Sequence, residues 1–268
     1  MNVEYQPGKI IKIGYRSPGL SESHSPAEKV ALAKELGMTV MEPQCVPREL
    51  PDHETARKMR NAADEAGVSI PSMGAQFSTV ENGCDLQAEI AQIIEFAQIL
   101  GVDYVFSRIM TPPQDVTEKE AWQRLAERGP IVAEGLGEAG IKWAIEADPP
   151  CFIHTLERFE RAIALIDHPN CYPNFDPTNL YVVGSDPIHA IEVFGTRIVS
   201  GHIKDGYYHS PADHGEKPIG TGELDYTAIF KAMMDNGISA NMHIEHCQEA
   251  DCVRNAASHI RSRMESLL

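Results

Sequence analysis

Four widely separated residues share one setting. Glu146 closes the apolar run IKWAIE, Asp176 closes YPNFD, His202 sits near the end of RIVSGHI, and Glu245 follows NMHI. Side chains alternate between the two faces of a strand. That alternation puts Lys142, Ala144 and Glu146 on one face, opposite Ile141, Trp143 and Ile145. The same parity sets Asn174 with Asp176, Ser200 with His202 and Lys204, and His243 with Glu245, opposite Phe175, Val199, Ile203, Met242 and Ile244. Three carboxylates converging on one imidazole repel one another and suffer desolvation unless some are protonated or a cation joins them. One divalent ion resolves the conflict, and oxygens with a single imidazole suit Mn, Mg or Co, with Zn also compatible. Taken singly, each residue has an ordinary structural use, as a helix cap, loop anchor or packed core group. Recurrence at matched parity on four consecutive strands argues for the metal.

Bringing these four together requires strands that end at one place. Runs rich in β-formers at 10–15, 39–42, 68–73, 104–107, 141–146, 172–176, 198–203 and 241–245 alternate with amphipathic stretches. Two of those stretches carry helix punctuation. SPAEKVALAKELG has Ser25 ahead of a first-turn Pro and Gly37 past its end, and DLQAEIAQIIEFAQILG runs from Asp85 to Gly101. Eight strand-then-helix units predict an α/β fold, a (β/α)8 TIM barrel forming a single domain over residues 1–268, with its site where strands end and βα loops begin. An open doubly wound sheet is disfavoured, because no GxGxxG follows the first strand.

Composition narrows the partners. A formal charge of -16, with 23 Lys and Arg against 39 Asp and Glu, argues against a surface that neutralises nucleic-acid phosphates or anionic lipid. No apolar stretch approaches the roughly 18 to 20 residues of a membrane span, and MNVEYQPGKIIK lacks a signal-peptide pattern, so a cytoplasmic protein is expected. Six cysteines, Cys45, Cys84, Cys151, Cys171, Cys247 and Cys252, form no CxxC pair and read as reduced thiols used in packing.

The motifs AIEADPP, NFDPTN, GHIKDG, PIGTGELDY and MHIEHC, in that order over the eight-unit layout, resemble the xylose isomerase-like TIM barrels, which include sugar phosphate isomerases and epimerases. The resemblance implies one divalent metal held at Glu146, Asp176, His202 and Glu245, the four that strand parity selects. In the family's epimerases the two Glu ligands also form the acid/base pair on opposite faces of a bound sugar, which makes Glu146 and Glu245 the catalytic candidates here. The chemistry agrees, because moving a proton beside a ketose carbonyl passes through an enediolate whose oxygens need a nearby cation. The expected function is a metal-dependent isomerase or epimerase of a ketose, keto-polyol or sugar phosphate, and a homo-oligomer is implied by the same resemblance. The alternative on the same barrel is an inosose-dehydratase-like lyase, in which the enediolate expels a β-hydroxyl. An endonuclease-type phosphodiesterase is disfavoured because Pro177, Thr178 and Asn179 follow Asp176, breaking that group's Asp-x-x-His. The intact acid pair argues against a sugar-binding subunit without turnover.

Substrate-side candidates surround the four. Lys204, one step past His202 on the inner face, is placed to contact a substrate oxygen or phosphate. Asn179 can donate to a sugar oxygen, and Asp148 is either a hydroxyl ligand or a cap. Arg108, Arg16 and Glu42 end early strands and either face substrate or are solvated loop residues. His243 should pack one layer below the metal and His246 should face outward. The stretch 206–224 reads as a long loop, a lid or a subunit contact, closed at Gly220-Thr221-Gly222 by a tight turn, in preference to a phosphate cradle.

Overall fold

In the computed structural model the described residues are 1–17, 24–43, 52–247 and 249–267. Helix punctuation acts as its residue types dictate. The first helix, α1 (Pro26–Glu35), starts at a capping box in which Ser25 accepts from the Glu28 amide and the Glu28 side chain accepts from the Ser25 amide. Helix α2 (His53–Ala66) is capped by Asp52, and α3 (Leu86–Leu100) runs from its Asp85 cap to a left-handed Gly101. The remaining helices are α4 (Glu118–Glu138), α5 (Leu156–Ile166), the short α6 (Pro177–Tyr181), α7 (Pro187–Phe194), α8 (Tyr226–Asp235) and α9 (Ala250–Glu265).

All eight expected strands form, as β2 (Lys9–Arg16), β3 (Met41–Glu42), β4 (Ser72–Gly74), β5 (Tyr104–Arg108), β6 (Lys142–Glu146), β7 (Cys171–Phe175), β8 (Ser200–Ile203) and β11 (Ala240–Ile244). Each pairs in parallel with its neighbours, and β11 returns to β2 with Met242 opposite Ile13. The ring closes between β3 and β4 through a parallel bridge from Val40 to Ser69. This is a (β/α)8 barrel, the fold in which loops after the strands build the site. Strand parity holds. Trp143 packs edge-on against Phe77 on the outer side, with its indole N–H donating to Ser107, while Phe106 and His202 meet ring to ring inside.

Two features depart from the sequence reading. Strand β1 (Asn2–Gln6) pairs antiparallel with β2, across a turn at Pro7-Gly8. The stretch expected as a loop contains a hairpin, β9 (Asp205–Ser210) with β10 (Asp213–Lys217). Its residues are mostly polar and its turn lacks an Asn-Gly signal, so the apolar alternation that reveals a strand is missing. The Gly220 to Gly222 turn follows, and Asp205 holds it by accepting from the Gly220, Gly222 and Leu224 amides. A side chain at Gly222 would place Cβ 2.1 Å from Asp205 Oδ1. Among the described residues the cysteines are free thiols, with Cys151, Cys171 and Cys247 buried; Cys45 lies outside the described residues.

Candidate metal centre

The four strand-end residues converge. Glu146 ends β6, Asp176 follows β7, His202 lies in β8 and Glu245 follows β11, and all are buried. Each offers a ligand atom, and those atoms lie within 4.8 Å of one another. His202 Nδ1 is 3.0 Å from Glu146 Oε1 and 3.4 Å from Glu245 Oε2. Asp176 caps α6, its Oδ1 accepting from the Asn179 amide, which leaves Oδ2 turned toward the site. That Oδ2 is buried without a hydrogen bond, although Lys204 Nζ stands 3.2 Å away.

Charge explains why this cluster suits a cation. Burial pushes the Asp176 carboxyl up to about 6, with Glu146 and Glu245 adding to the push and Lys204 and His202 opposing it. Burial works against a charged His202, yet Glu146, Glu245 and Glu42 hold its pKa well above the ordinary imidazole value. Burial likewise opposes ionised Glu245, but the Arg16 guanidinium bonded to it, His202 and Lys204 hold it well below the usual carboxylate range. Protein cations and a proton on His202 therefore offset the carboxylates. A divalent ion fits the same place: three hard oxygen donors, one imidazole and an oxygen without a hydrogen-bond donor match what Mn, Mg, Co or Zn binds.

Glu146 and Glu245 of the site line a cavity of about 450 Å³, within the size range of small-molecule pockets. Arg16, Arg108, Glu146, Asp148, Lys204 and Glu245 are among its walls. Residues 30–263 match the xylose isomerase-like TIM barrel family. The chain belongs to that family. An inosose dehydratase of Clostridium perfringens is 22% identical over 148 residues, 50% of this chain and 50% of its own length, so the match spans about half the curated relative. Two solved structures share the fold: the IOLI protein with a bound zinc atom, at TM-score 0.77 and 17% identity over 95% of this chain and 97% of that one, and an L-ribulose 3-epimerase, at TM-score 0.72 and 18% identity over 95% and 93%.

Around the centre of this xylose isomerase-like barrel, the substrate-side candidates separate. Arg108 Nη1 donates to Asp148 Oδ2 at 2.7 Å on the cavity wall. Lys204 reaches in from β8 and donates to Asn179 Oδ1 at 2.6 Å, with Glu216 Oε1 3.3 Å away. Asn179 lines the cavity, but its amide donates to Glu146 Oε1 and the Ala147 carbonyl, so its polar atoms are engaged by the protein. Glu42 is fully buried and off the cavity wall, bonded to His202 Nε2 at 3.1 Å and to Ser72 Oγ at 2.5 Å. The structure thus moves Glu42 from the substrate layer expected of it to the layer beneath the ligands, where it meets the far nitrogen of His202. His243 packs in that layer, with burial lowering its pKa to about 4.

The sequence reading left Arg16 open between two roles and aimed His246 the wrong way. Arg16 is no solvated loop residue: it pairs with Glu245 and Glu42 and stacks over Phe106 at 4.9 Å. His246, expected to face outward, lines the cavity and contacts Glu216 Oε2 at 2.6 Å. Its positive φ of 58° breaks the strand alternation on which the expectation rested. The hairpin supplies Glu216 and His214 to the mouth, which a reading of 206–224 as irregular chain could not place.

Proposed function

We propose that this chain is a single-domain, divalent-metal-dependent enzyme that moves a proton on a carbon of a ketose, keto-polyol or sugar phosphate, as an isomerase or epimerase. The convergence of Glu146, Asp176, His202 and Glu245 within 4.8 Å, with Glu146 and Glu245 on the cavity wall, carries the reading. These four hold the ion, which when bound acts as a Lewis acid that stabilises negative charge developing on substrate oxygens. Glu146 and Glu245 exchange the proton: one carboxylate removes it from the substrate carbon, and the other, first protonated from solvent or a substrate hydroxyl, returns a proton to the opposite face. Arg16 keeps Glu245 ionised and oriented, and Asn179 does the orienting for Glu146. Lys204 and the Arg108–Asp148 pair contact the substrate's hydroxyl or phosphate oxygens.

A dehydratase is the second reading, favoured by the match to inosose dehydratase over half the chain. Both readings take a small-molecule substrate and no nucleic acid, supported by the charge of -16. No helix among the described residues is long and apolar enough to cross a membrane, which supports a reading without a membrane partner. We place the enzyme in the cytoplasm as a homo-oligomer. Incubating the metal-loaded protein with ketoses and inososes in deuterated water tests the reaction. Isomerisation or epimerisation yields an isomer carrying deuterium at one carbon, dehydration yields a product lighter by one water, and no turnover on either class removes both readings.

A further inference from the structure

We propose that Glu42 is the positioning residue of the metal centre: it accepts the hydrogen bond from His202 Nε2 and thereby reserves Nδ1 for the ion. The inference rests on the metal reading above and assigns a role to a residue outside the ligand set. A neutral imidazole carries its single proton on either nitrogen, and only the unprotonated one binds a metal. A second-layer acceptor decides which. Here Nε2 lies 3.1 Å from Glu42 Oε1, whereas Nδ1 faces Glu146 and Glu245.

The surroundings fix Glu42 for that task. Ser72 Oγ donates to Oε2 at 2.5 Å, and Arg16 Nε lies 3.1 Å from Oε1. The same Arg16 guanidinium pairs with Glu245, so one side chain braces both a ligand and the carboxylate beneath the ligands. Phe106 meets the His202 ring nearly edge-on, at 76° and 4.8 Å between centroids, which limits rotation of the imidazole plane. Glu42 has no exposed surface and does not reach the cavity, so substrate contact does not explain it. Folding alone explains it poorly as well. Buried ion pairs replaced by well-packed apolar groups often leave stability unchanged or raised, so a carboxylate at this depth is better accounted for by what it orients.

The test compares metal-free wild type, Glu42→Leu and Glu42→Gln by cobalt(II) titration, read from visible absorption, together with thermal unfolding of each metal-free protein. Nitrogen-15 histidine spectra of the zinc-loaded wild type identify the protonated nitrogen of His202. We expect Glu42→Leu to bind cobalt about 10- to 100-fold more weakly, and Glu42→Gln, which keeps an acceptor oxygen, to recover part of the loss. Metal-free Glu42→Leu should unfold below wild type, because Arg16 and Ser72 lose a buried partner, with Glu42→Gln closer to wild type, and the wild-type spectrum should show the proton on Nε2. Wild-type cobalt affinity in folded Glu42→Leu overturns the proposal. So does a proton on Nδ1 in the zinc-loaded wild type, a result that does not depend on either variant folding. A wild type that takes up no cobalt or zinc is a different failure: it removes the metal reading, and this inference with it.

Discussion

At the scale of single residues, the account turns on two carboxylates with unlike neighbours. Glu146 is oriented by the neutral Asn179 amide, Glu245 by the Arg16 guanidinium. Replacing either with Gln keeps the shape and removes the base. Glu146→Gln and Glu245→Gln should each lower kcat by roughly 10² to 10⁴, the usual worth of general acid/base catalysis, while substrate binding measured by calorimetry persists. Undiminished turnover in either variant removes that residue from proton transfer. Protonation gives a second test. His202 has its pKa raised well above 6.5 and Asp176 is pushed up to about 6, so both bind protons that an incoming ion must displace. The sign follows: lowering pH adds protons to the metal-free state and weakens loading, and raising pH strengthens it. Cobalt affinity measured between pH 5 and 8 should rise with pH, with protons released into buffer on binding; an affinity independent of pH contradicts this.

At the scale of elements, the strands were legible and the hairpin was not. Period-two alternation in IKWAIE and NMHIEH is imposed by burial on both faces of a barrel strand, so Glu146 and Glu245 could be aimed inward from sequence alone. Asp205 to Lys217 covers the mouth with polar residues whose pairing partners are each other, and nothing in their order reports it. Glu216 and His246 became neighbours at the cavity mouth only through that hairpin and through a left-handed residue after β11. Arg16 stayed ambiguous because a strand-end arginine reads equally as solvated, until Glu42 and Glu245 arrive from distant strands. The hairpin's base depends on Gly222, where a Cβ would strike Asp205 Oδ1. Gly222→Ala should cost about 1–3 kcal/mol, typical of overpacking, seen as a lowered unfolding temperature and faster amide exchange confined to 205–224. Unchanged exchange there contradicts the claim that Asp205 anchors the hairpin.

At the scale of the whole molecule, four of the eight barrel strands present side chains to one point, so the centre couples elements that are far apart in sequence. An ion bound only by the folded barrel stabilises it by mass action, about 2.7 kcal/mol at a concentration a hundredfold above Kd. Chelation of the loaded protein should therefore lower the unfolding temperature by about 5 °C for a chain of this length, and His202→Ala should show no such drop. The central claim, one divalent ion at Glu146, Asp176, His202 and Glu245, is tested most directly by metal content. Elemental mass spectrometry on wild type and His202→Ala, purified without chelator, then exposed to Mn or Co and desalted, reads the stoichiometry. The account predicts about one ion per chain in wild type and near none in the variant. An empty wild type, or equal loading of both proteins, would contradict it.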